Sequence, residues 1–96
     1  MAANFRILIH WSSESLHLKL IGDFDETSAE QLSYIVKKNG ARVGRIFVHT
    51  NCLETIYPAS EVVFQSELSA MPGGRDRLIF TGEKGAKIAP AGSKLL

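Results

Sequence analysis

The sequence predicts an α/β domain in the order β-β-α-β-α-β, an antiparallel hairpin followed by two strand–helix–strand crossings around a mixed central sheet. Three observations predict it. Two stretches of period-two alternation lie near the start, joined by a polar turn. A capping box precedes a helical repeat. A short continuous apolar run then leads to a helix opened by proline. The 96 residues suit one domain spanning 1–96, with a core over about 5–90, near the lower end of the usual domain size.

Taken in order, Phe5, Ile7, Ile9 and Trp11 alternate with Arg6, Leu8 and His10, and Leu16, Leu18 and Leu20 alternate with His17, Lys19 and Ile21. A four-residue loop, Ser12-Ser13-Glu14-Ser15, pairs Trp11 with Leu16, Ile9 with Leu18 and Ile7 with Leu20, placing the apolar residues of both strands on one face. Gly22-Asp23-Phe24-Asp25 ends the second strand. Thr27-Ser28-Ala29-Glu30 has the form of a capping box, Ala29, Leu32, Ile35 and Val36 follow at helical spacing, and Asn39-Gly40 supplies the stop, predicting a helix over 27–38. Ile46-Phe47-Val48 reads as a central strand covered on both faces, followed by a loop. Pro58 opens the second helix, with Ala59, Val62, Val63, Leu68 and Met71 as its apolar face and Pro72-Gly73-Gly74 as its end. Leu78-Ile79-Phe80 is the fourth strand. Gly85, Pro90 and Gly92 leave room only for a short helix around residues 84–89. Each helix links strands that run parallel through right-handed crossovers.

Composition narrows the function classes. Apolar residues make up 45% of the chain and charged residues 22%, the balance of a globular protein rather than a disordered one. A net charge of +1 with scattered lysines and arginines gives no electrostatic footprint for nucleic acid. Cys52 is the only cysteine, which excludes an intramolecular disulfide and argues against a small secreted scaffold. No apolar run approaches the roughly 20 residues of a membrane span. The opening Met-Ala-Ala-Asn-Phe-Arg lacks the layout of a signal peptide, so a cytoplasmic location is expected.

The segment from Ile46 through His49 and Cys52 to Tyr57, Pro58, Ala59 and Ser60 places a strand-to-helix joint where α/β proteins usually meet ligands and partners. It carries no nucleophile–base pair, no metal-ligand set and no glycine-rich phosphate cradle, so binding is expected rather than catalysis, with no cofactor and no metal. Ser60 is read as a residue that suits a helix start ahead of its reading as a phosphorylation site. Asp23 and Asp25 are read as caps or dipole partners of the first helix ahead of a role in holding a cation. His10 and His17 should face each other across the hairpin, two ligands where structural zinc takes four and catalytic zinc three. His49 is placed at the strand end as a hydrogen-bonded structural residue or a pH-sensitive contact. Cys52 is expected to act as a small apolar filler rather than a redox sensor. The Gly82-Glu83-Lys84-Gly85-Ala86-Lys87 segment has neither the spacing nor the hydroxyl of a P-loop.

The order of elements resembles the STAS domain of sulphate transporters and anti-sigma-factor antagonists. Gly22-Asp23-Phe24-Asp25 is similar to that family's Gly-x-Leu-Asp segment. The Tyr57-Pro58-Ala59-Ser60 stretch falls where the family carries Asp-Ser-Ser/Thr-Gly, whose hydroxyl is phosphorylated by a partner kinase. His49 falls where the family's central strand usually ends in aspartate. The resemblance implies helices mainly on one face of the sheet, a shortened C-terminal helix, and loss of the usual phospho-switch, because Pro58 and Ala59 have no hydroxyl. It also implies a non-catalytic protein-interaction module in bacterial regulation, with an anti-sigma-factor or kinase-like partner. Its contact surface would include Tyr57, Pro58, Ala59, Ser60, Asp23, Asp25 and His49. Apolar surface left by the short tail would suit a homodimer or a docked partner. The alternative is a small-ligand or nucleotide sensor at the joint between the third strand and second helix. A hydrolase or transferase built on His49 and Cys52 would lack an orienting third group.

Overall fold

The hairpin forms in the register that the alternation sets. In the computed structural model, which describes residues 4–40, 42–69 and 75–96, β1 (Arg6–Ser12) runs antiparallel to β2 (Ser15–Phe24) with Trp11 opposite Leu16, Ile9 opposite Leu18 and Ile7 opposite Leu20. Pairing continues to Ser12 and Ser15, so the turn has two residues instead of four, and Ser13 takes a φ of 51° to close it. The apolar residues of both strands share one face as expected, but that face is covered only in part. Leu16, Leu18 and Leu20 are fully buried, whereas Ile9 and Trp11 stand about half exposed on the outer strand.

The remaining elements are α1 (Glu26–Asn39), β3 (Arg45–Ile56), α2 (Pro58–Glu67), β4 (Leu78–Thr81), α3 (Gly85–Ile88) and β5 (Lys94–Leu95). They give a five-stranded sheet in the order β1-β2-β3-β4-β5, parallel from β2 onwards. The buried side chains of all three helices join one cluster with Leu18 and Phe24 of β2, Val48 of β3 and Phe80 of β4. Phe24, Phe64 and Phe80 meet edge to face with centroids 6.1 and 6.0 Å apart, the arrangement that aromatic quadrupoles favour. The opposite sheet face bears no helix among the described elements. Phe47 is therefore only half-buried there, and β3 is not covered on both faces as expected.

Two boundaries differ from the sequence reading. β3 runs to Ile56, taking in residues expected to form a loop. β2 offers a ten-residue ladder, and β3 follows it past register irregularities between Lys19 and Ile21 and between Gly22 and Phe24, which break the alternation that marks a strand. α2 ends at Glu67, and Met71 and the Pro72-Gly73-Gly74 stop lie outside the described residues. Its buried row is Ser60, Phe64 and Leu68, each four residues on from the last and so on one helical face. Val62, expected on the core face, is 69% exposed.

The tail folds as a four-residue α3 and a two-residue β5 beside β4. Leu96 extends this end by donating its N–H to the Phe80 carbonyl at 2.9 Å. Among the described residues, no helix is long and apolar enough to cross a membrane.

Candidate functional site

The starts of α1 and α2 lie side by side at the end of the sheet, because β2 leads into α1 and β3 leads into α2. Tyr57 is the only residue between β3 and α2. Its backbone N–H donates to the Phe24 carbonyl at 3.0 Å, which fixes the joint against the end of β2. Between the two helix starts lies an open groove of about 740 Å³ lined by Asp25, Glu26, Thr27, Glu30, Tyr57, Pro58 and Ala59.

Asp25, not Thr27, caps α1. Its carboxylate accepts from the backbone N–H and the hydroxyl of Ser28, both at 2.9 Å, so the helix starts one residue earlier than the capping box implied. The Ser28 N–H, chiefly, holds the Asp25 carboxyl below the ordinary carboxylate range; burial pushes the other way, and the Ser28 hydroxyl adds a smaller lowering. Asp23 is half-buried in β2. It contributes backbone groups, its N–H donating to Asn4 Oδ1 at 3.3 Å and its carbonyl accepting from the Ser28 hydroxyl at 3.2 Å.

Pro58 takes the first helical position of α2. Tyr57, Pro58 and Ala59 are exposed, whereas Ser60 is fully buried and donates its hydroxyl to the Tyr57 carbonyl at 2.6 Å. Of the residues singled out from the sequence, the groove thus gathers Asp25, Tyr57, Pro58 and Ala59. Asp23, Ser60 and His49 do not line it. Glu26, Thr27 and Glu30 do, and the four-residue spacing of the two glutamates at the head of a helix was the signal available for them.

His49 is mid-strand, on the helix-free face of the sheet. Its Nε2 lies 3.0 Å from His17 Nδ1 and its Nδ1 lies 2.7 Å from Thr81 Oγ1. The His17 and Phe47 rings are parallel within 6° at 4.7 Å, and those of His17 and His49 within 6° at 5.3 Å. His10 faces His17 across the hairpin as expected. Burial, followed by the proximity of His17 and Lys19, lowers the His49 pKa from 6.5. Among the described residues, no three His, Cys, Asp or Glu side chains are grouped to hold a metal ion. Cys52, expected to fill a buried gap, is exposed on β3 beside Ile21. Near the tail, Thr50, Asn51, Glu83 and Lys84 line a recess of about 290 Å³.

No family model matches the chain, and no curated protein does. Among solved structures, it is similar to the anti-sigma factor antagonist SpoIIAA in its unphosphorylated form, with a TM-score of 0.64 and 18% identity over 95% of this chain and 87% of that one. It is also similar to an uncharacterized DUF3478-family protein with a SpoIIAA-like fold from Shewanella loihica PV-4, with a TM-score of 0.59 and 15% identity over 97% and 85% of the two chains. These likenesses show the fold, a STAS-like α/β domain of the SpoIIAA type.

Proposed function

We propose that the chain is a non-catalytic protein-interaction module of bacterial cytoplasmic regulation, using the groove between the starts of α1 and α2 as its contact surface. The observation that carries this reading is the convergence of both helix starts on one open groove with Tyr57, Pro58 and Ala59 exposed along it. Tyrosine suits such a surface, since its ring supplies area and its hydroxyl tolerates water. Asp25, Glu26 and Glu30 give the groove acidic character, which favours a partner surface carrying basic and apolar groups. The partner class suggested by the likeness to the anti-sigma factor antagonist SpoIIAA is an anti-sigma factor.

The contact is constitutive. Pro58 and Ala59 have no hydroxyl to phosphorylate, and the Ser60 hydroxyl is buried within the first turn. The acidic lining works against a nucleotide sensor, because a phosphate there meets carboxylates as well as helix N–H groups. A His49–Cys52 catalytic pair is disfavoured because both His49 ring nitrogens face other partners, His17 and Thr81.

The test compares capture of partners from a bacterial lysate by the parent and by a folded Ala59→Arg variant. Arginine at this exposed helix start adds bulk and charge without emptying the core. The expected outcome is a partner held by the parent and held at least about tenfold less by the variant, the scale of a central interface position. Equal retention moves the interface away from the groove. Addition of ATP or GTP is expected to leave the melting temperature unchanged; a rise supports the sensor reading through mass action.

A further inference from the structure

β1 borders only β2, leaving its other edge open among the described residues. Proteins usually blunt such an edge with lysine, proline, a bulge or a very short strand. β1 has seven residues, Arg-Ile-Leu-Ile-His-Trp-Ser, with one fixed charge and no proline, and its pairing with β2 runs without a register shift. The sheet's opposite border is the two-residue β5, which carries Lys94. Leu8, Ile9 and Trp11 of β1 are 50, 51 and 52% exposed, so large apolar side chains meet solvent on both faces of one strand.

We infer that β1 is a homodimer seam, at which two copies pair antiparallel about a two-fold axis through Ile9 to form one continuous sheet. A row of free backbone donors and acceptors fits a strand as its occupant, and the order of the side chains fits β1 itself. Rotation about Ile9 sets Ile9 against Ile9, Ile7 against Trp11, Leu8 against His10 and Arg6 against Ser12. On the helix side this makes an unbroken apolar row, and on the other side it keeps like charges apart. Centring the axis on Leu8 instead sets Arg6 against His10, and centring it on His10 sets two imidazoles against each other. The interface is isologous, as closed homodimers require, and it leaves the groove between the helix starts free.

The test is sedimentation of the full chain from about 1 to about 500 μM, the span in which weak dimers form. The parent is expected to dimerise. Folded Ile9→Lys and Ile9→Glu variants are each expected to stay monomeric, and an equimolar mixture of them to dimerise again because opposite charges then meet on the axis. A parent that stays monomeric overturns the inference; so do single variants that stay dimeric, or a mixture that stays monomeric. Ile9→Cys in a Cys52→Ser background gives a second readout if the charged variants fail to fold. Under a copper oxidant it is expected to form a disulfide-linked dimer, and absence of that crosslink likewise overturns the seam.

Discussion

His49 bridges His17 and Thr81, with 3.0 and 2.7 Å separations at its two ring nitrogens. Of the two facing nitrogens, one donates and the other accepts. Protonating His49 places a charge in a partly buried site beside His17, with Lys19 adding to the repulsion. The folded state holds the His49 pKa below 6.5, so the unfolded chain binds that proton more readily. This contribution to stability is full above about pH 6.5 and is lost as pH falls from there through the folded pKa. The melting temperature of the parent should therefore drop between about pH 7.5 and 5.5, and a His49→Gln variant should drop less. Gly82 is a different kind of dependence. Its φ is 94°, and a Cβ there would stand 2.5 Å from Asn51 Oδ1 and 2.6 Å from Thr50 Oγ1. Gly82→Ala should cost about 1–3 kcal/mol in urea unfolding, from strained backbone and crowding together. The composition made histidines conspicuous, but the His17–His49 contact was not legible. It depends on the parallel register of β2 and β3, which sequence alternation does not encode.

At the scale of elements, the connection from α1 to β3 is tied to the start of β4 by one side chain. Arg77 Nη1 donates to the carbonyls of Gly40 at 2.6 Å and Val43 at 3.0 Å, acceptors near the end of α1 and just before β3. Arg77→Met keeps most of the side chain's length but leaves those carbonyls without the charged donor. A loss of about 1–2 kcal/mol is expected in denaturant titration. Lys37 and Glu67 also link α1 to α2, at 3.3 Å, but both are solvent-exposed, and such pairs seldom contribute more than about 1 kcal/mol. The hairpin and α1 were readable because alternation and spacing each repeated several times. The far half of β3 was not, since its ladder continues past register irregularities. The face of α2 was misread through Val62, whose apolar character did not decide its direction. Ser60, Phe64 and Leu68 form the buried row instead.

At the scale of the molecule, the order of elements and the mixed sheet were legible because each helix had to join parallel neighbours. β5 was not, because two residues after Gly92 carry too little pattern to identify a strand. Part of the groove was legible for the same topological reason, since Tyr57, Pro58 and Ala59 fall where a strand hands over to a helix. Its acidic wall was not, since it required knowing that α1 and α2 start beside each other. The one-residue joint at Tyr57 also limits how chain length can change during evolution. A residue inserted there and absorbed by α2 would turn the Ser60, Phe64 and Leu68 row by about 100°, away from the core. One left outside the helix would displace the N–H that Tyr57 gives to Phe24. Insertions and deletions in descendants of this chain should therefore accumulate elsewhere, leaving the spacing from Ile56 to Pro58 as a fixed measure of the lineage.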